Sequence, residues 1–197
     1  MIGIDKINAY LLETLSEKRY KHSLGVAQEA VKLSDHYGAD REKAYLAGLV
    51  HDCAKEIAPQ EMLSLIKDKY GVSPDSISLH RPKLLHGILG AAISQNRFGI
   101  YDTAVLDAIR YHTTGKANMS LLSKIIYIAD YIEPNRDYED VDYLRKLAYE
   151  DIDKAIIYGI DFTIRDLLDR GATIHPDTMH CRNDLLIKKA ERSSHED

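Results

Sequence analysis

The sequence predicts an all-α fold. Helical periodicity recurs along the chain, no run of alternating β-branched residues is bounded by hairpin turns, and Gly, Pro and Ser stand where helices would stop or start. A first helix is expected over residues 4–18 and a second over 20–37, where Gly38 offers a left-handed C-cap. The third, 40–52, runs through the apolar stretch AYLAGLV and stops at His51-Asp52. Pro59 suits the first turn of a fourth, 59–70, which Gly71 ends. Gly71 to Lys83 holds Pro74, Pro82 and several Ser and Asp, so it reads as a surface loop of a length that often carries function. In the helix over 84–97, Leu85, Ile88, Leu89 and Ala92 form a core-facing stripe, and periodicity gives another helix over 102–112. Ser120 can cap 120–132, whose stripe is Leu122, Ile125, Ile126 and Ala129, and Glu133-Pro134 closes it. Helices follow over 140–149, over 151–170 with Ile157, Ile160, Ile164, Leu167 and Leu168 inward and Gly171 at the end, and over 177–191. The polar tail Ser193 to Asp197 is expected to fray.

Length and composition narrow the class. A chain of 197 residues can bury one good core, so one domain over 1–197 is the expectation. Lys and Arg number 26 against 31 Asp and Glu with no basic block, which argues against a broad nucleic-acid footprint. Cys53 and Cys181 lie far apart and form no C-x-x-C pair, which fits a reducing, cytoplasmic setting. No apolar stretch approaches the roughly 18 residues of a membrane span, and Met1-Ile-Gly-Ile-Asp lacks the make-up of a signal peptide.

The chemistry concentrates in histidines and aspartates at helix ends. His22 lies in RYKHSLGVA, His51-Asp52 ends an apolar helix, His86 interrupts LLHGILGA, and His112 ends AIRYHTTG. Asp130 sits among Ile, Ala and Tyr in IIYIADYIEP, where an unpaired carboxylate would cost several kcal/mol by rough estimate. Asp130 therefore needs a cation, and neutral imidazoles with carboxylates are what a divalent first-row transition metal accepts. Lys55 falls three residues after Asp52 and four after His51, on the same face of a continuing helical turn. Arg136 follows the Pro that ends the Asp130 helix. His36, His80, His180 and His195 fit no such pattern and read as structural or surface residues. Of the 13 Tyr, one or two would suit stacking on a base.

The ordered set His22, His51-Asp52, His86, His112, Asp130 resembles the HD-domain metal-dependent phosphohydrolase superfamily, whose signature is H…HD…D. The phrases HDCAKE, LLHG, HTTG, DYIEPNRDY and IHPDTMHCRND resemble, within it, the bacterial symmetrical bis(5'-nucleosyl)-tetraphosphatases, over about residues 19 to 183. The resemblance implies an HD-type helical bundle, with a metal core at about 19–135 and C-terminal helices at about 140–191 completing a nucleotide site. It implies His22, His51, Asp52 and Asp130 as metal ligands, iron being the first choice and manganese the second. His86 and His112 would hold a second metal or, with one ion, donate to phosphate and carry protons. Lys55, Thr113 and Arg136 would contact phosphate, with Thr114 and Gly115 beside them, and Thr178, Arg182 and His175 would close over the nucleotide. An ordinary helix start at Asp177 or Thr178 is the plain alternative. The implied reaction is symmetrical cleavage of diadenosine tetraphosphate to two ADP. The rivals are another nucleotide substrate on the same scaffold and a non-catalytic nucleotide sensor. A homodimer through the helices after residue 140 is left open.

Overall fold

The computed structural model describes residues 1–194; residues 195–197, with His195 and the end of the polar tail, lie outside them. Among the described residues there are eleven α-helices and no strand. They are α1 (Ile4–Thr14), α2 (Glu17–Tyr37), α3 (Arg41–Val50), α4 (Pro59–Ser64), α5 (Ser76–His80), α6 (Leu85–Asn96), α7 (Thr103–Tyr111), α8 (Leu121–Ile132), α9 (Val141–Glu150), α10 (Ile152–Asp169) and α11 (Pro176–Ser193).

The expected stop and start signals are used at Gly38, Gly71 and Gly171, all left-handed, and at Ser120, whose hydroxyl accepts from Ser123 N at 3.1 Å. Four boundaries differ from the sequence reading. The first helix ends at Thr14 instead of residue 18, because Ser16 caps α2 by accepting from Arg19 N. The fourth is α-helical only to Ser64, and Leu65–Lys69 continue as a π-turn. The supposed loop 71–83 contains α5, capped by Asp75, and a 3-10 turn at Pro82–Leu84. The last helix starts at Pro176, with the His175 ring accepting from Asp177 N, so neither Asp177 nor Thr178 is the cap.

A layer of α2, α3, α6, α7 and α8 forms the centre, and α9, α10 and α11 pack on its α8 side. Leu33, Leu49, Leu89, Ile109, Ile125 and Ile126 are fully buried in this core. Truncating any one of them to Ala would cost about 2–5 kcal/mol. The stripe expected on α10 is rotated: Ile152, Ile156 and Ile160 are buried, whereas Leu168 is 63% exposed. α10 packs against both α8 and α9, and its inner face follows the i, i+4 row that starts at Ile152.

Two glycines set the spacing of the central helices. A Cβ at Gly48 would stand 2.7 Å from Ala27 Cα, so α2 and α3 touch backbone to backbone. A Cβ at Gly87 would stand 2.6 Å from Arg110 O, which brings α6 equally close to α7. These approaches draw the His-bearing ends of the four helices together. Both cysteines are buried free thiols; burial, with the Asp52 charge added, pushes Cys53 up to about 12. No helix of the described residues is long and apolar enough to cross a membrane.

Candidate metal and phosphate site

Asp52, 1% exposed just beyond α3, lies between two sets of imidazoles. Its Oδ2 is 3.5 Å from His51 Nε2 and 3.8 Å from His22 Nε2. Asp130, in the last turn of α8, closes this first set, with Oδ1 3.1 Å from His22 Nε2 and 4.0 Å from His51 Nε2. The other oxygen, Oδ1 of Asp52, is 3.1 Å from His86 Nε2, 3.3 Å from His112 Nε2 and 3.6 Å from Lys55 Nζ. The four rings run edge to face, with centroids 5.3 Å apart for His22–His51, 4.9 Å for His51–His112 and 4.8 Å for His86–His112.

The local backbone explains why every Nε2 points inward. His51 donates Nδ1 to Gly48 O at 2.7 Å and His112 donates to Ile109 O at 2.7 Å. Each of these carbonyls is in the last turn of its helix, where no main-chain N–H is available, so the imidazole satisfies an orphan acceptor. His86 donates to Lys83 O at 2.5 Å, in the 3-10 turn before α6. His22 instead donates Nδ1 to the Glu133 carboxylate at 3.1 Å. With its hydrogen committed to Nδ1, each neutral ring presents a lone pair at Nε2.

The two sets then differ. His22 Nε2 and His51 Nε2 of the first set are buried with no aligned hydrogen-bond partner, and so is Asp52 Oδ1, which faces the second set. Lone pairs facing carboxylate oxygens at this range repel unless a cation lies among them. His22, His51 and Asp130 offer ligand atoms all within 4.8 Å of one another, as do His51, Asp52 and His112. Such mixed nitrogen and oxygen donors fit a divalent transition metal. On the His86 side the lone pairs also meet donors: Lys55 Nζ donates to His86 Nε2 at 3.0 Å, Thr113 Oγ1 is 3.3 Å from that atom and 3.1 Å from His112 Nε2, and the two Nε2 atoms stand 2.9 Å apart.

Electrostatics keep the carboxylates charged and His86 neutral. Burial alone would raise Asp52, but His51, His112 and His86 outweigh it and hold its carboxyl well below the usual range. At Asp130 burial is likewise outweighed, by His22, His51 and Arg136. Burial pushes His86 down to about 4, with the neighbouring His112 and Lys55 adding to it and Asp52 opposing.

His22, His51, Asp52, Asp130, His86, His112, Lys55 and Thr113 therefore converge. Arg136 joins them through Asp130, its Nη2 on Oδ1 at 2.5 Å and its Nε on the main-chain O at 2.7 Å. Thr114 turns away and donates to Gly115 O. Arg182 pairs with Asp161 of α10 and is not among the groups around Asp52, and Thr178 is buried in the first turn of α11, its N–H on His175 O. His175 holds Asp75 at 3.2 Å, tying the 71–83 segment to the start of α11. Sequence reasoning missed two members. Arg19 donates to Asp52 Oδ2 at 2.8 Å, and its i, i+3 spacing to His22 was the available signal. Glu133 was read only as a helix stop.

A cavity of about 400 Å³ is lined by Ser78, Leu84, Ile88, Tyr111, Thr114 and His175 among others; it includes chain neighbours of His86 and His112 but none of the convergent residues themselves. Another cavity, about 810 Å³, lies toward the opposite ends of α2, α3 and α7, among Val31, Leu46 and Val105, and none of the convergent residues lines it either.

The HD domain matches residues 19–135, from Arg19 to the turn after Asp130. The chain belongs to the HD-domain family. Its HD relatives include the symmetrical bis(5'-nucleosyl)-tetraphosphatase of Halalkalibacterium halodurans, 45% identical with 89% of this chain and 92% of that protein covered. The protein of the same name from Bacillus subtilis is 41% identical over 90% of this chain and 95% of its own length. A crystal structure described as a predicted HD superfamily hydrolase involved in NAD metabolism, from Clostridium acetobutylicum, superposes with a TM-score of 0.93. It is 47% identical and covers 95% of this chain and 99% of its own. HD membership implies a divalent metal, and the unpartnered His22 and His51 nitrogens, with the carboxylates of Asp52 and Asp130 beside them, fit one.

Proposed function

We propose that this HD protein hydrolyses diadenosine tetraphosphate symmetrically to two ADP. The observation that carries the reading is identity of 45%, 41% and 39% over about nine-tenths of the chain with proteins named for that reaction. The convergence around Asp52 supports it with chemistry. On this reading His22, His51, Asp52 and Asp130 hold the metal, iron first and manganese second. When bound, the ion supplies water of lowered pKa and neutralises charge on the phosphate under attack.

The protein's own groups do the rest. Lys55 is aimed at the His86 side and binds a phosphate oxygen. Arg19 and Arg136, each on one site carboxylate, are within reach of further oxygens and offer planar, bidentate donors. His86 and His112, with Nδ1 pinned to main-chain carbonyls, donate to or accept from phosphate at Nε2 and carry the proton. Thr113 orients both rings. The cavity of about 400 Å³ is of a size for one nucleoside, bounded by Tyr111 and by His175 from the C-terminal segment. This assigns residues 1–197 to one domain in the cytoplasm, with 140–191 completing the nucleotide site of the 19–135 core.

Incubating metal-loaded protein with diadenosine tetraphosphate and separating the products tests the reading. ADP as sole product is expected. ATP with AMP, or turnover confined to mononucleotides, contradicts symmetrical cleavage, and bound metal without turnover would favour a sensor.

A further inference from the structure

His22 is held differently from its three neighbours. His51, His86 and His112 each lean on a neutral main-chain carbonyl, whereas His22 leans on a carboxylate that is itself 1% exposed. Glu133 Oε1 takes the His22 Nδ1 hydrogen at 3.1 Å, and Oε2 accepts from Asn135 N and Nδ2, each at 2.8 Å. Arg145 fixes the turn behind it, donating to the main-chain oxygens of Ile132, Glu133 and Arg136. Gly25 makes the room: a Cβ there would stand 2.3 Å from Glu133 Oε2. A buried carboxylate is costly unless its partners are in place, so an arrangement this complete marks a defined role.

We propose that Glu133 is a positioning residue that fixes the tautomer of His22, raises the basicity of its Nε2, and thereby sets how tightly the first half of the site holds its divalent cation. The inference rests on reading His22 as a metal ligand. A carboxylate takes the Nδ1 hydrogen more strongly than a carbonyl does, so electron density moves toward Nε2. Partners of this kind change metal affinity by about 10–100-fold. The tie also explains why the helix carrying Asp130 ends in Glu133-Pro134: one turn delivers a site carboxylate and the group behind His22.

The test is a double-mutant cycle read by binding of manganese(II) alone, in competition with a chelating dye, on the full chain. Glu133→Gln should weaken binding about 10–100-fold. His22→Ala should weaken it at least as much, and adding Glu133→Gln to His22→Ala should cost nothing further, because the two act as one unit. Should Glu133→Gln fail to fold, Gly25→Ala, whose methyl displaces the same carboxylate, enters the same cycle. An equal loss from Glu133→Gln in both backgrounds would assign it a general structural role and overturn the inference. Unchanged affinity in Glu133→Gln beside a loss in His22→Ala overturns it too, while leaving the metal reading intact. Unchanged affinity in His22→Ala overturns both.

Discussion

The two sides of Asp52 hold the same kinds of side chain in opposite states of satisfaction. Toward His22, His51 and Asp130, buried nitrogens lack hydrogen-bond partners and face carboxylates; toward His86 and His112, a lysine and a threonine reach the lone pairs, and only Asp52 Oδ1 is left without a hydrogen bond. Residue composition alone would treat the two sides as equivalent. Satisfaction separates them: the first side calls for a cation from outside the chain, and the second brings its own cation, Lys55. On this account one side holds metal and the other handles substrate.

Ligand removal should break the symmetry most strongly. His51→Ala and Asp130→Ala are expected to lose bound metal, with affinity down by more than about 100-fold, beyond the effect of a partner behind a ligand. His86→Ala and His112→Ala should keep their metal while turnover falls about 10²–10⁴-fold. Elemental analysis beside steady-state kinetics distinguishes them, and metal loss in all four would mean that both sides hold ions. Next in size, Lys55→Met should lower kcat/KM by about 10²–10³-fold, the scale of losing one aimed phosphate donor, with metal content unchanged.

Smaller effects should follow the helix spacing. Gly48→Ala separates α2 from α3 and Gly87→Ala separates α6 from α7, each costing about 1–3 kcal/mol in thermal or denaturant unfolding. Gly48→Ala should weaken metal binding in the folded protein; Gly87→Ala should slow turnover and spare the metal. The reverse pattern would invert the assignment of the two sides.

The smallest effect concerns the wall of the cavity. The Asp75 carboxyl is held down to about 2: burial opposes this, and Ser78 and His175 outweigh it. A depressed carboxyl stabilises the fold above its unfolded value of about 3.9, and that contribution is lost as pH falls toward about 2. Asp75 is 46% exposed, so the contribution should be under about 1 kcal/mol. Urea unfolding of Asp75→Asn should show a small deficit at pH 6 that shrinks between about pH 4 and pH 2. A deficit that grows in acid would contradict it.

Much of this architecture was legible in the chain because periodicity, caps and glycines report local backbone. The stripes of α6 and α8 and the ends at Gly38, Gly71 and Gly171 follow directly. So does the convergence of six His and Asp residues, since each stands at or near a helix end and the ends meet. What was hidden depended on contacts between distant elements. Arg19 and Glu133 are ordinary helix-boundary residues until α3 and α8 lie against α2, and Arg182 reads as a nucleotide contact until Asp161 faces it across α10 and α11. The α5 turn escaped notice because five residues among Ser, Asp and Pro carry no measurable period. The orphaned Nε2 atoms could not be read from sequence at all, because they depend on which ring nitrogen each carbonyl claims.

Anomalous diffraction from crystals of metal-loaded protein with a non-hydrolysable dinucleoside tetraphosphate would test the division of labour most directly. The account predicts one metal peak within coordination distance of His22, His51, Asp52 and Asp130, with His86, His112 and Lys55 on phosphate oxygens. A peak between His86 and His112, alone or beside the first, would contradict it.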